Sequence, residues 1–199
     1  MRSRMYVNVS KLLFQLLFLG ALITVPLAAQ STGEATGHLD ITATYNATLS
    51  NTTSRLSFLE QGGSLQLHGQ VFRGFGVVAD IAGGHASDIG SNGVGLDMVT
   101  TTFGPRYTWA PTGHRWSTFG QALVGEANGF HSVFPGASGS VDSTNSLALL
   151  VGGGVNWAMS RRIALRALDA DWLRTEFPNG SSNVQNNLRI GAGVVLHLK

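Results

Sequence analysis

The 199-residue chain contains no cysteine. Disulfide staples, thiolate chemistry and a cysteine-linked lipid anchor are therefore excluded. Charge is also scarce: only 12% of residues are Asp, Glu, Lys or Arg, where a soluble domain carries about a quarter. Lysine is almost missing, with Lys11 and Lys199 the only two. Beyond residue 30 no continuous apolar run reaches the ~20 residues that a membrane-spanning helix requires. That absence does not exclude a membrane, because spanning β-strands give a much weaker hydropathy signal. The formal charge of +2 depends on Arg2, Arg4 and Lys11. Without that N-terminal segment ten basic residues face eleven acidic ones, so nucleic acid is not an expected partner.

Those three basic residues precede the apolar run Leu12–Ile23, which leads into Val25-Pro26-Leu27-Ala28-Ala29-Gln30. A basic start, a short apolar centre and a small-residue end read as a signal peptide over 1–29, with cleavage near Ala29/Gln30. The remainder is expected to be one domain, 36–199.

What fills that domain is alternation. Leu39, Ile41, Ala43, Tyr45, Ala47 and Leu49 interleave with Asp40, Thr42, Thr44, Asn46 and Thr48. Strict period two makes a strand with one apolar and one polar face. Seven further stretches follow, at about 64–73, 75–84, 97–109, 116–127, 145–157, 163–174 and 186–198. The last is nearly regular, with Leu188, Ile190, Ala192, Val194, Leu196 and Leu198 opposite Asn187, Arg189, Gly191, Gly193 and His197. Two are ambiguous. Gln121 shares the parity of Phe119 and Leu123, and Arg166 has the wrong parity for Asp169 and Asp171. The second mismatch suggests a β-bulge or an interfacial position.

Connections alternate in length: short at Arg73-Gly74, Ala110–His114 and Met159–Arg161, longer and polar near 51–54, 85–95, 128–144 and 178–180. Tyr107, Trp109, Trp116 and Trp157 fall beside the short turns, as aromatics do at membrane–water interfaces. The polar faces are crowded with Gly, Ala and Thr, which suits the narrow lumen of a small barrel. The fold expected is all-β: a closed, antiparallel, up-and-down, eight-stranded transmembrane β-barrel.

Three segments carry a family resemblance: Thr102-Phe103-Gly104-Pro105-Arg106-Tyr107; Gly152 to Trp157 running into Arg162–Arg166; and Asn187 to Val195. In order and spacing they resemble the bacterial outer-membrane β-barrel domain family, similar to the OmpA-type N-terminal barrel. The resemblance covers about 36–199. It implies a Gram-negative-type outer membrane with both termini periplasmic. The implied partners are outer-membrane lipid, periplasmic chaperones and the barrel-assembly machinery. Arg189, Gly191, Val194, Leu196 and Leu198 resemble the insertion signal which that machinery reads, although Lys199 stands where such barrels usually end on an aromatic.

Chemistry is hard to find in this pattern. His131-Ser132 is the nearest approach to a base and nucleophile, but neighbours on a strand point opposite ways. The six histidines, at 38, 68, 85, 114, 131 and 197, show no short metal-binding spacing. No catalytic residue, cofactor or metal is expected. Asp80, Arg106, Asp169, Asp171 and Arg189 are expected inside the lumen, where charges must pair. Asp169 is the expected neighbour of Arg189 if the last loop centres on Asn179. The function expected is a non-enzymatic structural or surface-interaction role, with an unidentified ligand at the loops. The alternative is a small pore or transport barrel, or a lipid-modifying barrel enzyme.

Overall fold

The computed structural model describes residues 38–50, 57–89, 94–136, 139–179 and 182–198. The leader with its Ala29/Gln30 boundary, the loop at 51–54 and the centre of the 85–95 segment lie outside the described residues. Eight long strands form the wall: β1 (Leu39–Ser50), β2 (Phe58–Phe72), β3 (Phe75–Ile89), β4 (Val94–Trp109), β5 (Trp116–Phe130), β8 (Thr144–Ala158), β9 (Ile163–Thr175) and β10 (Gln185–Leu198). Between β5 and β8 a small hairpin, β6 (Phe134–Gly136) and β7 (Gly139–Val141), forms its own two-stranded sheet. The wall closes as β1-β10-β9-β8-β5-β4-β3-β2, every pairing antiparallel. Closure leaves no edge strand and satisfies the wall's backbone internally.

Burial shows which face is which. Thr42, Thr44, Asn46 and Thr48 are buried, while Leu65, Ile81, Val151 and Ile190 are about half exposed. Every wall strand presents large apolar side chains outwards, and most of the polar side chains of the wall turn inwards. That is the reverse of a soluble domain, and it is the arrangement a wall in lipid requires. The barrel is a transmembrane one.

Several expectations about individual strands are corrected. β2 starts six residues before the expected 64, because Gly62 and Gly63 pair with Gly84 and Gly83 rather than ending the strand. A side chain on Gly62 would run into the Gly83 carbonyl, so the glycines let two strands approach closely. The expected loop at 85–95 is strand over most of its described length, as β3 reaches Ile89 and β4 begins at Val94. In β5 the odd residues Phe119, Gln121 and Leu123 all face the lumen. In β9 the bulge is real: Leu168 pairs with Val155 and Arg166 with Asn156, so Ala167 is an extra residue. It resets the alternation and buries Arg166 together with Asp169 and Asp171.

A closed barrel of this kind should keep its shape in cold SDS. Unheated and boiled samples of the refolded chain are expected to migrate differently on a gel; identical migration, or a helical circular dichroism spectrum, would contradict the fold.

Candidate functional site

The lumen is filled at two levels, and the strands place each filler. Nearer the short turns lies a charged plug of three arginines and three aspartates, all buried: Arg106, Arg166, Arg189, Asp80, Asp169 and Asp171. β10 points Arg189 inwards opposite Asp171 of β9. Arg189 Nη2 donates to Asp171 Oδ2 at 2.8 Å, and Nη1 reaches across the lumen to Asp80 Oδ1 at 3.1 Å. Asp80 also accepts from Gln66 Nε2 at 2.9 Å, and Asp171 from Gln121 Nε2 at 2.9 Å. Buried charge-assisted bonds of this kind hold only as a set, since each lost partner strands a charge in a poorly hydrated interior.

Two arginines complete the plug. Arg166 Nη1 donates to Asp169 Oδ2 at 2.9 Å and to Gln66 Oε1, and its Nε donates to Asn156 Oδ1 at 3.1 Å. Arg106 has no acid within ion-pair distance among the described residues. It donates to Gln66 Oε1 at 2.6 Å and to Gln121 Oε1. Both converge on Phe119, each guanidinium carbon 4.3 Å from the ring centroid. Two cations share one ring whose π faces attract both. Asp80, Arg106, Asp169, Asp171 and Arg189 thus meet in one network, to which the structure adds Arg166, Gln66, Gln121 and Phe119.

The expected pair of Asp169 with Arg189 does not form. The ladder sets Arg189 opposite Asp171 and Gly191 opposite Asp169. The register is shifted by two residues from one centred on Asn179, and Asp169 turns to Arg166 instead. The missed participants carry a weak signal in retrospect. Arg166 shows only as a parity error, and Phe119 looks like an ordinary lipid-facing aromatic until the facing of β5 is known.

Towards the long loops the filling is mixed: Thr48, Ser50, Glu60, Thr175, Gln185 and Asn187 are buried on one side, and apolar side chains fill the other. Leu96, Met98, Leu123, Leu150 and Leu173 form a buried cluster inside the lumen, which Val78 extends towards the short turns. Phe134 of the β6–β7 hairpin and Phe177 beyond β9 cap it, their rings 5.6 Å apart. Gln185 pins the second: its Oε1 accepts from Phe177 N and its Nε2 donates to Phe177 O, both at 2.9 Å.

Each rim carries a carboxylate between two imidazoles. Inside the short-turn mouth, Asp40 contacts His197 Nδ1 at 2.6 Å and His68 Nδ1 at 3.1 Å, bridging β1, β10 and β2. At the long-loop rim, Asp97 contacts His85 Nδ1 and His131 Nδ1 at 2.5 Å each. His131 is therefore turned towards Asp97 and exposed, whereas Ser132 is buried. The two do not converge as a base and nucleophile. Among the described residues no group of three or more His, Asp or Glu side chains is placed to hold a metal.

Tyr107, Trp109, Trp116 and Trp157 gather at the short-turn end. Trp109 and Trp116 meet edge to face at 5.3 Å, and Tyr107 lies tilted against Phe75 at 4.7 Å. Along β10, Arg189 and Gly191 face the lumen while Val194, Leu196 and Leu198 face outwards.

No protein-family model and no curated protein matches the sequence. Solved structures do match the fold. Neisserial surface protein A (NspA) aligns with a TM-score of 0.56 at 13% identity, covering 80% of this chain and 96% of that one. Ail, the attachment invasion locus protein of Yersinia pestis, aligns with a TM-score of 0.53 at 17% identity, covering 80% of this chain and 99% of that one. Ail in complex with the heparin analogue sucrose octasulfate aligns at 0.52 and 18%, with the same coverage. At such identities the likeness concerns the fold: a closed outer-membrane-type barrel.

Proposed function

We propose that this barrel resides in the outer membrane of a Gram-negative-type bacterium, with its termini and short turns in the periplasm. Its role there is non-enzymatic, structural or directed at other surfaces through the long loops. The observation that carries this reading is the double closure of the lumen. The Arg/Asp plug blocks one level and the cluster beneath Phe134 and Phe177 the other. An eight-stranded interior is just wide enough to be filled in this way. Chaperones and the barrel-assembly machinery would deliver the chain, with β10 presenting Arg189, Gly191, Val194, Leu196 and Leu198.

The ligand of the loops need not follow Ail. The described residues towards the long loops include Asp97, Glu126, Asp142 and Glu176. Their one arginine, Arg174, is tied to Glu176 at 3.1 Å. That surface favours a neutral or cationic partner over a sulfated polyanion such as the one bound to Ail. Purified protein in planar bilayers is expected to give no reproducible conductance above the empty membrane. Stable single-channel steps that change size in Arg106→Gln would overturn the closed-lumen reading and establish a transport barrel.

A further inference from the structure

We propose that the short-turn end is a docking collar for anionic phospholipid headgroups of the phosphatidylglycerol class. The proposal rests on the outer-membrane reading above. Three observations carry it: unpaired arginines on all three short turns, aromatic side chains immediately beside them, and acids gathered at the opposite rim.

The turns hold their arginines outwards by backbone geometry. Arg73 and Gly74 both have positive φ, 40° and 87°, the signature of a two-residue hairpin turn. Arg73 is exposed, with its guanidinium carbon 5.0 Å from the centre of the half-exposed Phe72 ring. Gly74 O accepts from Thr108 N at 2.8 Å, fixing this turn against β4. Arg115 stands next to Trp116, and its carbonyl accepts from Ala158 N at 2.6 Å, tying the second turn to the third. In the third, Ser160 Oγ accepts from Arg162 N at 3.2 Å and Ile163 N at 3.0 Å. Arg162 O in turn accepts from His197 N at 2.9 Å, which joins that turn to β10.

Arg73, Arg115, Arg161 and Arg162 are all exposed. Among the described residues none lies within ion-pair distance of an acid. Among the described residues the carboxylate on this rim is Asp40, which faces the lumen and is taken by His68 and His197. Buried arginines in this protein are all engaged, so four exposed ones at a single end leave a ring of uncompensated positive charge. Beside it lie Phe72, Phe75, Tyr107, Trp109, Trp116 and Trp157, the residue types that settle at headgroup depth. The aromatics set the level of the bilayer, and the arginines stand where the phosphates lie. A guanidinium fork binds phosphate oxygens in pairs, and each basic residue near an anionic surface contributes roughly a fivefold preference. A zwitterionic headgroup presents its own cation and offers less.

The full mature chain refolded into vesicles tests this through its own tryptophans, three of which stand in the collar while Trp172 lies further along the wall. Quenching by brominated phosphatidylglycerol is expected to exceed quenching by brominated phosphatidylethanolamine, with association stronger by at least about fivefold, the contribution of a single arginine. The preference should fall towards unity at high salt and in R73Q/R115Q/R161Q/R162Q, with folding confirmed by the heat-shifted gel band. If the quadruple variant does not refold, R161Q/R162Q should show a partial loss. Equal quenching by the two lipids, or a preference that survives the substitutions, would overturn the collar. Both leaflets of the vesicle are alike, so this result does not depend on orientation. Orientation is read separately with Gly113→Cys, unique in a chain without cysteine. Labelling of intact cells by an impermeant maleimide would refute the periplasmic placement while leaving the lipid preference standing.

Discussion

Arg189→Gln is expected to destabilise the barrel by about 3–5 kcal/mol, read from urea unfolding in detergent. The guanidinium is buried and serves two acids, Asp171 on the neighbouring strand and Asp80 across the lumen. Its removal leaves both buried carboxylates without their cation. Asp171→Asn should cost a comparable amount, and each single change should lose more than half of what the double change loses. A double-mutant cycle isolates the pair. Additive losses for Arg189 and Asp171 would reject the direct pairing. The informative control is Asp169→Asn, which lies one ladder step away but pairs with Arg166 at 2.9 Å. Its cycle with Arg189 should show a much smaller coupling than the cycle with Asp171. If the coupling followed Asp169 instead, the ladder register between β9 and β10 would be wrong by two residues.

Gly152→Ala is expected to cost about as much, although it adds one methyl group. Gly152 of β8 sits opposite Gln121 on one side and Asp171 on the other. The Asp171 carboxylate lies over the glycine, and a Cβ there would collide with Asp171 Oδ1 and with the Ala170 carbonyl. Overpacking alone costs about 1–3 kcal/mol. Displacing Asp171 also breaks its 2.9 Å bond from Gln121 Nε2, a charge-assisted bond worth about 1.5–3 kcal/mol. The two effects together give about 4 kcal/mol, measured by the same unfolding assay. In an Asp171→Ala background the added cost should shrink, because only the backbone clash remains. An unchanged cost in that background would mean that Gly152 is required for strand approach alone and has no part in seating the plug.

These two sites show how unevenly the molecule can be read from its residues. Asp171 and Arg189 are visible as inward charges from the alternation of their strands. Gly152 is visible only as one of a run of three glycines. Its use depends on a carboxylate from the next strand lying across it. Glycine runs mark places where something comes close, but not what does. The apolar residues of the lumen are harder still. Val78, Met98 and Leu150 are as apolar as the lipid-facing residues beside them, so period two has no contrast to register.

The sequence by itself determined the number of wall strands, the facing of the regular ones, the three short turns and the position of the aromatic ring, whereas the expected long connection at 85–95 proved to be mostly strand. All are local properties: side-chain direction reverses at every residue of a strand, and turn residues sit between the runs. Only the tertiary structure decided which charges meet. Arg189 is 109 residues from Asp80, and Arg166 is 100 from Gln66. Whether they touch is set by the stagger of the closing wall and by one bulge at Ala167. Closure also decided that two arginines converge on Phe119 and that Phe134 and Phe177 join the apolar cluster of the lumen. Those contacts join strands and loops that no local pattern brings together.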